Sequence, residues 1–193
     1  MKIEENNYLN NLNNLLQSNK LTFDAGVKLI GTELYNLSKN NEKRVWLIGN
    51  GGSASTIEHF ETDISEIRNP NLKYGSRVQA LTSNSALITA TSNDVSYDEL
   101  FSSLLKQKAL SGDLLISVSA SGNSKNIINA VLVAKAMKIR TISVLGFDGG
   151  LLLGTSDEDI LIKSKIGEYE LVEDIHLALF HAVKLFLRSL AII

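Results

Sequence analysis

The stretch that decides the fold runs from Asp113 to Ser124 and reads Asp-Leu-Leu-Ile-Ser-Val-Ser-Ala-Ser-Gly-Asn-Ser. It begins as an apolar run of strand length and ends as a loop of small hydroxyl side chains, and a helical pattern follows over residues 125–137. A helix that starts directly after such a loop presents unpaired N–H groups and the positive end of its dipole to the loop. The stretch therefore predicts an anion site, and a phosphate suits it best. A plain helix cap at Asn123 or Ser124 is the alternative.

From Arg44 onward, apolar runs of strand length alternate with segments of helical periodicity. The strand runs are continuously apolar, which is typical of strands buried on both faces of a parallel sheet. The pattern predicts an α/β fold with a central parallel sheet, a helix layer on each face, and a ligand site beyond the carboxyl ends of the strands. We expect strands at 45–48, 78–81, 114–118, 141–145 and 160–162, and helices at 53–67, 98–108, 124–137 and 169–190.

The N-terminal segment carries apolar side chains at helical spacing, which predicts two helices with a break within residues 18–22. Thr22 or Asp24 is the expected cap of the second helix. The apolar stripe needs a surface to cover, either this domain or another copy of the chain. We expect residues 1–40 to form a helical arm that packs in an oligomer, and residues 41–193 to form the ligand-binding domain, both within one structural unit.

The formal net charge of −2 and the acidic isoelectric point of about 5.9 argue against nucleic acid or an anionic membrane as a partner. The chain has no cysteine, which excludes disulfides and thiolate metal sites and is compatible with a reducing compartment. No run approaches the roughly 20 apolar residues that a membrane span needs. The first residues are polar and acidic, without the apolar core of a signal peptide. We expect a soluble, cytoplasmic protein.

A second glycine-rich loop follows the first predicted strand and reads Gly49-Asn-Gly-Gly-Ser-Ala-Ser55. It does not fit the dinucleotide pattern G-x-G-x-x-G, because position 54 is alanine, and it lacks the Gly-Lys-Ser/Thr of a nucleoside-triphosphate loop. Alone, it is equally typical of a tight turn. Beside the serine-rich loop at the same edge of the sheet, it favours a small phosphorylated metabolite over a nucleotide.

Histidines and carboxylates occur together on two of the predicted helices. His59 and Asp63 are four residues apart and share a helix face, as two ligands of one metal, as a base beside an acid, or as a modest surface contact. On the closing helix, Glu173 lies eight residues before His181, which is roughly 12 Å along a helix. These two residues would therefore hold one ion only by reaching inward from its two sides.

Asn93 and Asp94 follow the apolar run 86–90, which we interpret as a strand that ends in a turn. At the carboxyl end of a strand, an amide and a carboxylate would suit the hydroxyl groups of a sugar. The same two residue types are equally typical of a turn that has no role in binding. The sequence leaves both alternatives open.

Taken in chain order, these motifs resemble the sugar isomerase (SIS) domain family, and more narrowly its phosphoheptose isomerase branch. The resemblance implies a flavodoxin-like three-layer sandwich and a homotetramer with shared active sites. It also implies an isomerase that converts sedoheptulose 7-phosphate to D-glycero-D-manno-heptose 7-phosphate for the heptose of lipopolysaccharide or capsule. The motifs that carry it are Gly49–Ser53, His59, Asn93–Asp94, Ser119–Ser124, Asp148–Gly150, and Glu173–His176 with His181.

The resemblance further implies roles for the residues at matching positions. A carboxylate, Asp63 or Glu173, would be the catalytic base and His181 the acid, with a phosphorylated sugar as substrate and zinc as cofactor. The zinc ligands would be His59, Asp63, Glu173 and His181. The substrate contacts would come from Asn50, Gly51, Gly52, Ser53, Asn93, Asp94, Ser119, Ala120, Ser121, Ser124 and Glu173.

Three positions depart from the pattern of the family. Asp63 stands where the family has the glutamate that is its general base, Glu173 where it has glutamine, and Ala120 where it usually has threonine. The shorter side chain at position 63 retracts the carboxylate by about 1.5 Å, which makes Glu173 an alternative base. The departures leave two other functions open: a non-catalytic SIS regulator that binds phosphosugars, of the DnaA-associating type, and an isomerase of another phosphosugar. The backbone N–H at Ala120 remains, so we expect phosphate binding to survive.

Overall fold

Five parallel strands form the centre of the fold. The structure is a computed structural model that describes residues 7–39, 42–67 and 77–190. Within these residues the strands are β1 (Val45–Gly49), β2 (Val78–Ala80), β3 (Leu114–Ser119), β4 (Arg140–Leu145) and β5 (Glu158–Leu161). Their order in the sheet is β2-β1-β3-β4-β5. This is the strand order of flavodoxin-like sheets, with a switch point between β1 and β3, and it confirms the expected fold class.

The helices lie before, between and after the strands in the chain. Apart from the corrections below, the predicted strands and helices agree with the structure to within two residues at each end. A short 3-10 helix, Gly150–Leu152, precedes β5. The α-helices of the described residues are α1 (Tyr8–Ser18), α2 (Lys20–Ser38), α3 (Gly52–Ser65), α4 (Ser85–Asp94), α5 (Leu100–Lys108), α6 (Lys125–Ala136) and α7 (Tyr169–Ser189).

The sheet separates two apolar cores, because successive side chains of a strand point to opposite faces. On one face, Val45 and Leu47 of β1 pack with residues of α2, α3 and α7. On the other face, Trp46 and Ile48 pack with residues of α5 and α6. Both faces of β1 and β3 are covered, so every residue of these strands is buried, as their continuously apolar sequences predicted.

The break between α1 and α2 lies at Asn19, and the expectation of a cap at Thr22 or Asp24 is wrong, since both residues lie inside α2. The Asn19 side chain is buried and makes bonds to two segments. Its Nδ2 donates to the Leu15 carbonyl at 2.9 Å and to the Lys163 carbonyl at 3.1 Å, and its Oδ1 accepts from the Lys163 N–H at 2.8 Å. The boundary between the two helices is therefore held against the segment after β5. The sequence pattern does not reveal this contact.

Helix α2 packs within this chain, because Ile30 and Leu34 are fully buried in the core that α7 shares. Helix α1, by contrast, has no buried residue. The division into an arm at 1–40 and a domain at 41–193, with the arm packing in an oligomer, stays a prediction. Parts of those ranges, residues 1–6, 40–41, 68–76 and 191–193, lie outside the described residues.

The apolar run 86–90 belongs to helix α4, so the expectation of a strand there is wrong. Asn84 caps this helix, since its Oδ1 accepts a hydrogen bond from the Leu87 N–H at 3.0 Å. Both edges of β1 are already paired, one with β2 and the other with β3, so the run has no place beside β1. Asn93 and Asp94 consequently lie in the last turn of a helix.

His176 links α7 to the sheet from inside the core. The ring is fully buried, and its Nε2 lies 3.1 Å from the Leu145 carbonyl oxygen at the end of β4. A carbonyl only accepts, so the ring donates its Nε2–H and stays neutral. Burial is the larger influence on this group and lowers the pKa of His176 to about 4, against a weaker opposite effect of the Leu145 hydrogen bond.

We expect the free energy of unfolding to fall by about 2 kcal/mol between pH 7 and pH 5, because the unfolded chain takes up a proton on His176 and the folded chain does not. The loss begins near the ordinary pKa of 6.5 and is complete below about 4. Urea unfolding at both pH values measures it. His176→Gln is the control and should lose this part of the pH dependence, although it is less stable at pH 7. Equal pH dependence in both proteins would contradict the assignment.

Candidate active site

The serine-rich loop connects the end of β3 to the start of α6. Two of its hydroxyls fold the loop on itself: the Ser119 Oγ accepts from the Gly122 N–H at 3.0 Å, and the Ser121 Oγ accepts from the Asn123 N–H at 3.2 Å. Ser124 is the residue before α6, yet its side chain makes no capping hydrogen bond. That hydroxyl and the first-turn N–H groups of α6 can therefore bind an anion. A plain cap at Ser124 does not describe this geometry.

The turn Asp148–Gly150 braces the serine-rich loop from behind. The Leu152 N–H donates to the Gly122 carbonyl at 3.0 Å, and a Cβ at Gly122 would lie 1.9 Å from the Gly149 carbonyl oxygen. Gly122 also has a φ of +63°, a conformation that side-chain-bearing residues rarely adopt. The loop can hold its shape against this turn only with glycine at position 122.

We expect Gly122→Ala to weaken the binding of inorganic phosphate by more than about tenfold, because the added methyl group drives the loop away from its brace. Isothermal titration calorimetry measures the affinity. Gly154→Ala is the matched control: Gly154 also has a positive φ, +77°, but a Cβ there meets nothing within 4 Å. If the two variants bind phosphate equally well, the loop is not the phosphate site.

The second glycine loop is tied to the start of α6 by a pair of amides. Asn50 donates to the Asn126 Oδ1 at 2.9 Å, and Asn126 donates back to the Asn50 Oδ1 at 3.0 Å. The Tyr97 hydroxyl donates to the same Asn50 oxygen at 2.9 Å. Asn126 is buried, so this reciprocal pair fixes the Asn50 side chain next to the serine-rich loop. Neither partner is evident from the sequence pattern; the signal for Asn126 is an asparagine on the apolar face of α6.

A cavity of about 130 Å³ lies between the two loops. It opens beyond the carboxyl ends of β1 and β3, at the switch point of the sheet, where ligands of such folds bind. Seven of the residues expected to contact the substrate line it together, and their roles in binding stay predictions. The lining consists of Asn50, Ser53, Val118, Ser119, Ala120, Ser121, Ser124, Tyr169 and Glu173.

The Glu173 carboxylate lies at the N-terminus of α3, against Gly52. A Cβ at Gly52 would lie 2.2 Å from the Glu173 Oε2, so only a glycine admits the carboxylate this close to the start of the helix. Burial raises the pKa of Glu173, and the negative charges of Glu170 and Asp174 raise it further. The cavity therefore contains one carboxylate that holds a proton more readily than an exposed glutamate does.

Farther along, α3 and α7 bring His59, Asp63 and His181 together. The two Nε2 atoms of the histidines lie 3.4 Å apart. The Asp63 Oδ1 lies 3.7 Å from the Nε2 of His59, and its Oδ2 lies 3.8 Å from the Nε2 of His181. Within the described residues, the ligand atoms of these three side chains all lie within 4.8 Å of one another.

This group fits a divalent metal ion. Two imidazoles and a carboxylate are a typical zinc donor set, and two nitrogens bound to one tetrahedral zinc lie about 3.3 Å apart, close to the separation of the two histidine nitrogens. Glu173 is not a member of the group. It lies about two turns earlier on α7, roughly 12 Å along the helix, and its carboxylate is in the cavity. The structure thus brings together three of the four predicted zinc ligands.

Lys184 also contacts this group, although no motif of the sequence singles it out. Its Nζ lies 2.5 Å from the Asp63 Oδ1 and 3.4 Å from the Glu66 Oε2. The hydrogen bond to Asp63 is the main reason that the pKa of Lys184 is raised, so the ammonium is charged at neutral pH. The available signal was its spacing: Lys184 follows His181 by three residues and so lies on the same helix face.

Asn93 and Asp94 do not join the cavity. Both side chains are exposed, and the Asn93 Nδ2 donates to the Asp94 Oδ1 at 2.9 Å. They are absent from the residues that line the cavity between the loops, although they were expected to contact the substrate. Both residues lie in the last turn of α4, a few residues before Tyr97, whose hydroxyl contacts Asn50, and their contact with a substrate stays a prediction.

Comparison with known proteins agrees with this architecture. A family model described as the SIS domain matches residues 7–146. The chain therefore belongs to the SIS-domain family. Within that family it is similar to phosphoheptose isomerases: the one from Campylobacter concisus is 30% identical over 182 residues, which are 89% of this chain and 92% of the relative.

Other relatives extend this similarity. The phosphoheptose isomerase of Chlorobium phaeovibrioides is 35% identical over 147 residues, and the match spans 72% of this chain but only 66% of the relative's length. The solved phosphoheptose isomerase of Neisseria gonorrhoeae is 26% identical, with a TM-score of 0.80 over 94% of this chain and 95% of that one. In the described part of this chain, none of the helices has the length and apolar character of a membrane span.

Proposed function

We propose that this chain is a sugar-phosphate isomerase that converts sedoheptulose 7-phosphate to D-glycero-D-manno-heptose 7-phosphate in heptose biosynthesis. The observation that carries the proposal is the cavity in which the serine-rich loop faces the Glu173 carboxylate. A phosphate-binding loop and a base in one cavity are what an aldose–ketose isomerisation of a phosphosugar requires. The similarity to phosphoheptose isomerases along most of the chain supports this choice of substrate.

The phosphoryl group binds at the start of α6. Its oxygens accept hydrogen bonds from the Ser124 hydroxyl and from the first-turn N–H groups, which the helix dipole makes favourable for an anion. Binding at this end of the sugar holds the carbonyl end in place, so the reacting carbon meets the base without further loss of freedom. Asn50, which Asn126 and Tyr97 hold in place, contacts the sugar hydroxyls.

Glu173 is the base in this proposal. It removes a proton from C1 of the ketose, which leaves an enediolate across C1 and C2, and it returns the proton to C2. A second proton moves from O1 to O2, so that C1 becomes the aldehyde and Glu173 is regenerated. The raised pKa of Glu173 suits a base near neutral pH, whereas Asp63 is paired with Lys184 and does not line the cavity.

The resemblance to the family implies that His181 carries the proton between the two oxygens. His181 lies with His59 and Asp63 and, like Asp63, does not line the cavity, so this role stays a prediction. His59, Asp63 and His181 would hold zinc, which would polarise the carbonyl as a Lewis acid when bound. Of these residues, Asp63 is buried and the two histidines are exposed, so the rings are accessible to a ligand.

We expect Glu173→Gln to lower kcat on sedoheptulose 7-phosphate by about 10²- to 10⁴-fold with little change in KM, because it removes the base and keeps the shape of the cavity. A coupled assay that detects the aldose product measures this. Glu170→Gln, on the same helix, should keep its activity at pH 8. Its acidic limb should move to lower pH, because loss of a neighbouring negative charge lowers the pKa of Glu173. Full activity in Glu173→Gln and none in Asp63→Asn would assign the base to Asp63 instead.

A second candidate function is a phosphosugar-binding regulator without turnover. The contact that favours it is the ion pair of Lys184 with Asp63, which occupies the carboxylate at the position of the family's general base. Such a protein would bind sedoheptulose 7-phosphate in calorimetry and form no product in the coupled assay. An isomerase of another phosphosugar would instead turn over a ketose phosphate of different length.

We also propose a cytoplasmic homotetramer in which residues 1–40 pack between copies of the chain. Exposed apolar side chains on the two N-terminal helices support this packing, since Leu9 is 78% and Leu21 87% exposed within one chain.

For that assembly, we expect light scattering to give about four times the chain mass of 21.1 kDa. The double variant Leu9→Ser with Leu21→Ser should give smaller species, because it removes apolar surface that the copies would cover. Leu110→Ser, which replaces an exposed apolar side chain outside residues 1–40, is the control and should remain tetrameric. A monomeric wild-type chain would refute the assembly.

A further inference from the structure

The carboxylate of the His59–Asp63–His181 group already has a cationic partner within the chain. The Lys184 ammonium lies 2.5 Å from the Asp63 Oδ1. Its positive charge would repel a metal ion that approaches the same carboxylate. We propose that Lys184 competes with a divalent metal ion for Asp63 and so holds this site at low metal affinity. The inference rests on the proposed function only in taking these three residues as the metal site.

The pair is sheltered enough for its charges to matter. The Asp63 side chain is 9% exposed and that of Lys184 is 15% exposed, whereas most surface ion pairs are fully hydrated and contribute little. Attraction between charges increases as water is removed, and so does repulsion between like charges. A metal ion bound by Asp63 therefore either accepts a nearby ammonium or displaces it.

Glu66 gives the ammonium a second partner. Its Oε2 lies 3.4 Å from the Lys184 Nζ, and Glu66 follows Asp63 by three residues, directly after the end of α3. The lysine thus lies between two carboxylates, one buried at the histidines and one exposed at 62%. When a metal takes Asp63, Lys184 can turn to Glu66 and keep an ion pair, so Glu66 lowers the cost of metal binding.

The proposal predicts that two substitutions change the affinity for Zn²⁺ in opposite directions. Lys184→Met, which keeps the buried part of the side chain and removes the charge, should bind Zn²⁺ about 10- to 100-fold more tightly than the wild-type chain. Glu66→Gln, which removes the second partner, should bind Zn²⁺ more weakly. Lys184→Arg keeps the charge and should stay near the wild-type affinity.

The measurement is Zn²⁺ competition with a chromophoric chelator at constant pH, on the full chain freed of metal. Glu58→Gln is the matched control for Glu66→Gln, because it removes the same charge from the same segment of the chain and, among the ion pairs of the described residues, Glu58 has none with Lys184. It should leave the affinity unchanged. Circular dichroism establishes that each variant is folded. If Lys184→Met does not fold, the comparison of Glu66→Gln with Glu58→Gln still tests the proposal.

Unchanged or weaker zinc binding in Lys184→Met would overturn the proposal, and so would the absence of zinc binding from both the wild-type chain and this variant. Turnover of sedoheptulose 7-phosphate is measured separately. Tighter zinc binding without turnover supports the competition and refutes the isomerase. Turnover with unaltered zinc binding refutes the competition alone.

Discussion

The parallel packing of α3 and α7 is the constraint on which the candidate site depends. Three contacts join the two helices in the same order along both: Gly52 with Glu173, His59 with His181, and Asp63 with Lys184. The apolar faces behind these contacts fix the register, with the rings of Phe60 and Phe180 4.5 Å apart in the core beneath them. A shift of either helix by one turn would separate all three contacts, so the core determines which polar groups meet.

The sequence was sufficient for the sheet and for the place of the cavity. Strands buried on both faces have continuously apolar sequences, and this pattern located β1 and β3 and the polar loop that follows each. The carboxyl ends of neighbouring parallel strands share an edge, so the two loops had to meet there. The same reasoning failed for residues 86–90, because a short apolar run satisfies a strand and a helix equally well, and in the structure Asn84 caps a helix there.

Other features depended on contacts between distant parts of the chain. The hydrogen bonds of Asn19 join α1 and α2 to the segment after β5, which the sequence does not place beside them. The meeting of the two loops was expected, but the pairing of Asn126 with Asn50 within it was not. The separation of Glu173 from the histidines could be stated in advance as a distance along a helix. The side to which its carboxylate turns could not, since that depends on the space that Gly52 leaves free. The motifs thus identify the candidate residues, and packing determines which of them lie together.

The reciprocal bond between Asn50 and Asn126 has a consequence for how the two loops change over evolutionary time. Each amide donates to the oxygen of the other, and the Asn126 side chain is buried, so replacement of Asn50 alone would leave the Asn126 amide without its acceptor. We therefore expect change at position 50 to be accompanied by change at position 126. The serine-rich loop and the glycine loop would accordingly evolve together. A chain that changes its ligand would have to pass through a variant in which the two loops are less firmly joined.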